Sequence, residues 1–295
     1  MTSDPLVSII VVNYNTSNEV LDLLASLGHC TYSNYEVLVV DNASPKDDLS
    51  PVLTAYPFVQ LINSTKNLGF AGANNLGMDH AQGDYYLFLN PDTCVTPSFL
   101  EPMLEAFEQN PSIGLVSPKI KYYDQPHLIQ YAGTSTMSKW TMRSHSFSKN
   151  KEDNTANSIS QLTGYGHGAA MMVPKSVVEK VGKMNETYFL YYEELDWCER
   201  IRQQGYQIYY VASSIVYHKE SISIEKESPL KIFYLSRNRI LFARLHYKMG
   251  ALTLYFLYHI FVVIPKHIFK YINQPALLKA YLKGVFWHLS SSITI

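Results

Sequence analysis

The chain has 295 residues, 47% of them hydrophobic and 17% charged, with a formal net charge of −1. That length admits one large α/β domain or two small ones, and the apolar share suffices for a buried core. Cys30, Cys94 and Cys198 include no pair with metal-ligand spacing, and "MTSDPLVSII" lacks a basic stretch followed by an apolar one, which argues against a disulfide-framed secreted protein and for a reduced, cytosolic setting.

The first 120 residues alternate between two patterns. "LVSIIVV" is a near-continuous apolar run, the signature of a strand buried on both faces. "SNEVLDLLASL" follows, with a capping-type Ser17 and a helical stripe of Val20, Leu21, Leu23, Leu24 and Leu27. "YEVLVV" and "VQLI" read as the next strands. A helix is expected over "GANNLGMDHAQG", a strand at "YYLFL", a helix in "PSFLEPMLEAFEQN" and a strand at "IGLV". Such alternation predicts an α/β fold with an open, mainly parallel, twisted sheet flanked by helices.

Polar residues recur where these strands end: Asn13 and Asn15 after the first, Asp41 and Asn42 after the second, Asn90 and Asp92 after the fourth. Open parallel sheets bind ligands outside the carboxyl ends of their strands, so a binding crevice is expected there. "NLGFAGANNLG" (67–77) is neither a P-loop nor a dinucleotide fingerprint, but its small residues permit close approach of a ligand at a helix start. In "LFLNPDT" an apolar strand delivers Asp92 to the sheet edge, either as an oxygen ligand for Mg²⁺ or Mn²⁺ or as the cap of an Asx turn.

Beyond residue 120 the order changes. "SFSKNKEDNTANSIS" (146–160) reads as a mobile polar loop, "GAAMMV" as a buried strand, and Pro174 suits the first position of a helix. "YFLYYEELDWCERIRQQGY" places Glu193, Glu194, Asp196 and Glu199 within two helical turns, directly after a run of rings. The carboxylates suit a helix N-terminus, with Asp196–Arg200 and Glu199–Arg202 as surface pairs and Gly205 closing the helix. They equally suit a pocket, with Tyr188, Phe189, Tyr191, Tyr192 and Trp197 either lining it or packing as core. Strands follow at "YQIYYV" and "SIVYH", the latter ending at His218.

Residues 228–295 contain no Asp or Glu against nine Lys and Arg. Within them "GALTLYFLYHIFVVIP" is shorter than the roughly 20 residues a spanning helix needs. A helix lying in an anionic membrane surface fits it, with a buried helix or oligomer contact as the other reading. Nucleic acid is not an expected partner, because apolar bulk dominates the basic tail.

In order and spacing, "VSIIVVNYN", "VVDNAS", "NLGFAGANNLG", "LFLNPDT" and "FLYYEELDWCERIRQQGYQIYYV…VYH" resemble glycosyltransferase family 2, most of all its bacterial rhamnosyltransferase-type members that build surface polysaccharides. The resemblance covers residues 7–239. It implies a GT-A fold, with a nucleotide-sugar half at about 1–120, an acceptor half at 121–227 and a helical, membrane-associating tail at 228–295. Asn13 and Asn15 then fall in the loop around the nucleotide, Asp41 and Asn42 near its base, and Asn67, Gly69 and Asn74 beside the ribose. Asn90-Pro91-Asp92 occupies the metal motif, usually Asp-x-Asp, which leaves ligation to Asp92, with His218 where relatives carry a further ligand. Glu193-Glu194 takes the place of an acidic pair whose second member is the general base. Glu194 is therefore expected in that role, with Glu193 and Asp196 as rivals. Arg237 and Arg239 in "YLSRNR" face either the diphosphate or lipid headgroups, and His167 is a candidate for the acceptor pocket.

The resemblance thus implies a metal-dependent, inverting transferase at the cytoplasmic face of the cell membrane. It would move rhamnose from its dTDP donor to a lipid-linked saccharide, with Asp92 and Glu194 flanking one anomeric carbon. UDP-hexose or UDP-galactofuranose is the alternative donor class. A sugar nucleotidyltransferase shares such crevices, but needs a phosphate-gripping basic loop, and "VVNYNTSNEV" has no Lys or Arg. A catalytically dead scaffold is disfavoured by the presence of both Asp92 and the acidic pair.

Overall fold

The computed structural model describes residues 4–219 and 227–290; residues 291–295 of the expected tail, and 220–226 before its start, lie outside the described residues. Strand β1 (Val7–Asn13) leads through helix α1 (Ser17–Leu27) to β2 (Tyr35–Asp41), a short α2 (Ser50–Ala55) and β3 (Gln60–Asn63). Thr16, not Ser17, occupies the position ahead of α1. Helix α3 (Gly69–His80) precedes β4 (Tyr85–Leu89), β5 (Thr93–Val95) and α4 (Glu101–Gln109). Next come β6 (Ile113–Tyr122), β7 (Ile129–Tyr131), β8 (Gln161–Leu162), β9 (Ala170–Pro174), α5 (Lys175–Val181), α6 (Glu193–Gln203) and β10 (Gln207–His218). Pro174 ends β9 with an extended ψ of 140° and stands just before α5 rather than inside it.

The strands form one sheet in the order β3-β2-β1-β4-β9-β6-β10-β5, with β7 on β6 and β8 on β10. The first half is parallel, as expected: β1 pairs in parallel with β2 and β4, and β2 with β3. In the second half β9 runs antiparallel between β4 and β6, while β6 and β10 are parallel, so the sheet is mixed. "YQIYYV" and "SIVYH" are one strand, because a register shift between Val211 and Ile215 absorbs the residues between them.

The apolar runs are explained by burial on both faces. Val7, Ile9, Val11, Val37 and Val39 join a core with α1 and α4, while Ile10, Leu38 and Val40 join one with α3, α5 and α6. With both faces covered, the edge beyond Asn13, Asp41 and Leu89 is what remains open to a ligand.

The C-terminal region is helical: α7 (Pro229–His246), α8 (Met249–Tyr258), a π-turn at His259–Val263, α9 (Ile264–Tyr271) and α10 (Pro275–Ser290). Ser228 caps α7, its hydroxyl accepting from the Lys231 N–H at 3.2 Å. Helices α7 and α10 approach closely at Gly284, where a Cβ would lie 2.1 Å from Ser236 Oγ. Met249–Tyr271 forms a continuous helical run of 23 residues, long and apolar enough by length and composition to cross a membrane. The sequence reading of a shorter segment is corrected: the run continues through the π-turn at His259–Val263 and through Pro265 in the first turn of α9, which follows that turn directly.

Candidate active site

Two cavities open at the carboxyl edge of the sheet and share Phe70 and Asn90 as a common wall. The first, about 310 Å³, is lined by Thr16, Glu19, Asn74, Pro91 and Asp92 among others. The second, about 410 Å³, takes in Glu193, Glu194, His167, His218, Lys149 and Tyr191. Asp92 and Glu194 therefore line adjoining cavities rather than one undivided space. The connection between them is His218, whose Nε2 lies 3.1 Å from Asp92 Oδ1.

The loops after β1 and β2 are knitted together by amides. Asn13 is buried; its Nδ2 donates to Asp41 (3.1 Å), Ser44 (3.1 Å) and Asp47 (3.0 Å), while its Oδ1 accepts from the Thr16 N–H and hydroxyl. Asn42, also buried, donates to Asn67 Oδ1 at 3.0 Å and accepts from the Leu68 N–H at 2.7 Å. These two side chains, expected to touch a ligand, are spent on holding the loops. Asn15 (φ 59°) and Asn67 are exposed and Asp41 is half-buried, so those three keep solvent-facing edges. Asp47, which the sequence reading missed, also binds the Ser17 N–H; burial would raise its pKa, but hydrogen bonds from Ser17 and Asn13 outweigh that and lower it. The open space at Gly69 is filled by protein: at φ 71° it lets the Phe189 carbonyl pass where a Cβ would lie 2.1 Å away, and Phe70 N–H donates to that carbonyl at 2.7 Å.

The segment before α6 is strained. Phe189, Tyr191 and Tyr192 have φ of 63°, 68° and 79°, a region that costs bulky side chains about 1–3 kcal/mol each. Two neighbours on α7 hold it. Asn238 Nδ2 donates to the carbonyls of Tyr188 (3.0 Å), Leu190 (2.8 Å) and Tyr191 (2.7 Å), and Arg237 donates to those of Thr187 and Tyr188, both at 2.6 Å. Arg237 is 7% exposed and lies over the rings of Tyr234 and Trp287. Neither it nor Arg239 lines either cavity; the cation that does is Lys149, from the loop expected to be mobile. That loop carries bridges Leu128–Glu152 and Thr134–Ser146, which no local periodicity announces.

Of the rings before and within α6, Tyr188 and Trp197 are fully buried core, Phe189 stacks on Tyr234 at 5.1 Å, and Tyr191 lines the carboxylate cavity. Tyr131 and Tyr165, distant in sequence, are further tyrosines of its wall. Asp196 does not line it. It is 1% exposed and bonded to Arg200 Nε (2.8 Å), His246 Nε2 (2.7 Å) and the Tyr188 hydroxyl (3.2 Å), so its expected place as a rival base or surface pair is corrected to a buried ion-pair centre. Burial pushes up the pKa of Glu193 well above the usual range, reinforced by the charge on Glu194. Glu194 is also raised by burial, opposed by the N–H groups of Glu194, Leu195 and Tyr192. Glu193 is 4% exposed with an unpartnered Oε2 among the described residues, whereas Glu194 is the more open of the two.

The profile of glycosyl transferase family 2 matches residues 8–182, which span β1 through the end of α5. The chain belongs to this family. It is 27% identical over 242 residues to the low-salt glycan biosynthesis hexosyltransferase Agl10 of Haloferax volcanii, covering 79% of this chain and 74% of that protein. It is 25% identical over 239 residues to the N-acetylglucosaminyl-diphospho-decaprenol L-rhamnosyltransferase of Mycobacterium tuberculosis, covering 74% of this chain and 78% of that one. The fold is similar to that of GalNAc-T7 with UDP, GalNAc and Mn²⁺ (TM-score 0.65, 16% identity), covering 80% of this chain but only 48% of the other. It also resembles a Pyrobaculum calidifontis mannosyltransferase in complex with GDP-Man and Mn²⁺ (TM-score 0.58, 16% identity), covering 99% and 77%. The chain is thus a glycosyltransferase with a GT-A-like fold.

In this family 2 enzyme the donor set at Asp92 suits a divalent ion. His218 Nδ1 lies 2.9 Å from Gln130 Oε1, an acceptor, so Nδ1 donates there and the ring turns Nε2 toward Asp92, with the Asn90 amide 3.5 Å from the same nitrogen. A ring nitrogen and a carboxylate oxygen 3.1 Å apart are both donor types that a divalent ion accepts. Burial would raise the Asp92 pKa, but the contact with His218 reverses this and lowers it, so the carboxylate is ionised and ready to ligate. Among the described residues no group of three His, Cys, Asp or Glu is disposed to hold a metal.

Proposed function

We propose that this transferase works with inversion on a nucleoside diphosphate sugar, with Glu194 as the base. The observation that carries the reading is the Asp92–His218 contact, which joins a carboxylate suited to a metal to the cavity of the Glu193–Glu194 pair. An acceptor hydroxyl beside Glu194 gives its proton to the carboxylate as its oxygen bonds to the anomeric carbon. The bond from that carbon to the diphosphate breaks and the nucleoside diphosphate leaves from the opposite face. Glu193, with its pKa raised further, keeps its proton and leaves the ionised form to Glu194. A bound Mg²⁺ or Mn²⁺, held by Asp92 and His218, would neutralise charge on the departing diphosphate. Tyr191, the half-buried tyrosine of the Glu193–Glu194 cavity, offers a face on which a sugar can stack while water is excluded.

The donor in this reading is dTDP-rhamnose and the acceptor a lipid-linked saccharide of surface-polysaccharide synthesis, supported by the likeness to the mycobacterial rhamnosyltransferase. The similar match to a hexosyltransferase favours a nucleotide-hexose as second donor class. A panel of nucleotide-sugars with a lipid-linked acceptor extract, scored by product mass, tests both. Release of pyrophosphate instead of nucleoside diphosphate would overturn transfer to a hydroxyl.

The same reading places the enzyme on the inner face of the cell membrane, with residues 1–227 catalytic and the tail beyond them membrane-associated. Tyr255, His259, Val263 and Tyr271 of the run from Met249 to Tyr271 are buried against the protein, whereas Phe261 and Phe269 on its other side are 72% and 81% exposed. A helix docked on its own domain along one side presents only the other to lipid, which suits an in-plane position better than a crossing.

A further inference from the structure

Three buried polar atoms away from the transfer cavities, Arg239 Nε, His259 Nε2 and Tyr281 Oη, have no hydrogen-bond partner among the described residues, and their residues line one cavity. It measures about 300 Å³ and is formed by residues of α7, the run from Met249 to Tyr271, and α10. His259 is 2% exposed and Tyr281 3% exposed, so bulk water does not satisfy them. Leaving one such group unmet costs about 1–3 kcal/mol, and three at one place point to something that meets them.

Each of the three unmet atoms carries a proton, and each belongs to a residue of the cavity wall. Arg239 Nε carries its proton at any ordinary pH. Arg239 is also hydrogen bonded to the Tyr255 phenol, whose oxygen lies 3.1 Å from His259 Nδ1. Accepting from the guanidinium, Tyr255 gives its own proton to Nδ1. Burial and the Arg239 charge push the His259 pKa down to about 4, so the ring is neutral and carries its proton on Nε2. Burial pushes the Tyr281 phenol up to about 12, which keeps it protonated. Glu227 also lines the cavity, but its carboxylate is engaged by Lys270 and by the Tyr271 hydroxyl at 3.2 Å. The guanidinium of Arg239 is bonded to the Thr141 carbonyl, a neutral partner, so its charge is not cancelled there.

We propose that this cavity binds a phosphoryl group. Three donors arriving from three helices suit an anion with several acceptor oxygens, and a charged oxygen strengthens each hydrogen bond. The volume leaves room for a diphosphate. Tyr192 lines this cavity and immediately precedes Glu193 and Glu194 of the transfer cavity. If the transfer reading holds, a phosphoryl group held here belongs to the acceptor; binding itself does not depend on that reading.

The test uses the full chain without donor sugar and with EDTA, so that neither transfer nor a metal contributes. Pyrophosphate binding is measured by calorimetry. Flotation compares vesicles of phosphatidylcholine with phosphatidic acid against vesicles with phosphatidylglycerol at matched surface charge. Tyr281→Phe and Arg239→Gln are each expected to weaken pyrophosphate binding by about tenfold. The melting temperature of Tyr281→Phe should not fall, since that change removes an unmet polar group and no hydrogen bond of the hydroxyl among the described residues; a purely structural role would lower it. A preference for phosphatidic acid that both substitutions abolish identifies a lipid headgroup as the source. Pyrophosphate binding without that preference identifies a soluble phosphate. The proposal is overturned if the parent binds neither probe, or if both variants bind them as tightly as the parent does.

Discussion

His246 Nε2 lies 2.7 Å from Asp196 Oδ1, joining the end of α7 to the helix that carries the acidic pair. Arg200 holds the other carboxylate oxygen at 2.8 Å, so a buried acid is shared between a neighbour on its own helix and a residue 50 positions away. Burial would raise the Asp196 pKa, but the His246 bond and the Arg200 charge outweigh it and lower it. A depressed carboxylate contributes stability that is present above its unfolded pKa and is lost as pH falls through its folded one. Asp196→Ala should therefore cost on the order of 3 kcal/mol at neutral pH, because it leaves the Arg200 guanidinium and the buried His246 ring without their shared partner. In denaturant melts the deficit should shrink as the medium is acidified below the usual aspartate range.

Glu193 should behave in the opposite sense. Its folded pKa is raised, so its ionised form is the costly one, and stability is lost as pH rises through that value. Glu193→Gln is expected to raise the melting temperature at pH 8 and to leave it unchanged near pH 4. A melt at pH 8 no higher than the parent's would contradict a buried Glu193 with a raised pKa.

Glu194 sets the acid limb of activity in the proposed mechanism. Because burial raises its pKa, kcat/KM should climb with pH through a value above the usual glutamate range of about 4.3 and then level. Glu194→Gln should reduce kcat by at least about a hundredfold with little change in donor KM. Transfer by that variant at the parental rate would remove Glu194 from the role.

Asn238 touches neither cavity but donates to three carbonyls of the strained segment at 3.0, 2.8 and 2.7 Å. Asn238→Ala should cost about 1–3 kcal/mol of stability through the carbonyls left unmet. Since the segment positions Glu193 and Glu194, kcat should fall while the donor KM holds. Equal changes in both would place the effect elsewhere.

At the proposed metal position, Asp92→Asn should weaken Mn²⁺ binding, read by electron paramagnetic resonance, more than Gln130→Ala does. Gln130 acts through the orientation of the His218 ring, and loss of such support typically costs about 10–100-fold in affinity. Unaltered Mn²⁺ affinity in Asp92→Asn would move the ion to other ligands.

On the outer side of the C-terminal helices, Phe261→Glu combined with Phe269→Glu should release the full chain from anionic vesicles without changing its circular dichroism. Both rings are exposed, so the substitutions disturb little packing. Undiminished co-sedimentation would end the membrane reading of this face.

The strands of the parallel half, the polar edge beyond them and the helix starting at Glu193 were legible in the sequence, because each follows from local chemistry. Apolar runs mark burial on two faces, and acidic residues favour a helix start. What those polar side chains touch was decided only by the tertiary structure. Asn13 and Asp41 both end strands, yet one is spent on neighbouring loops and the other keeps an open edge. Arg237 finds its carbonyls 49 and 50 positions away, Lys149 reaches the cavity from a loop with no periodicity, and the unmet donors of the tail converge from separate helices. A hydrogen bond is specified by where two groups meet in space, and the distance between them along the chain carries no trace of it.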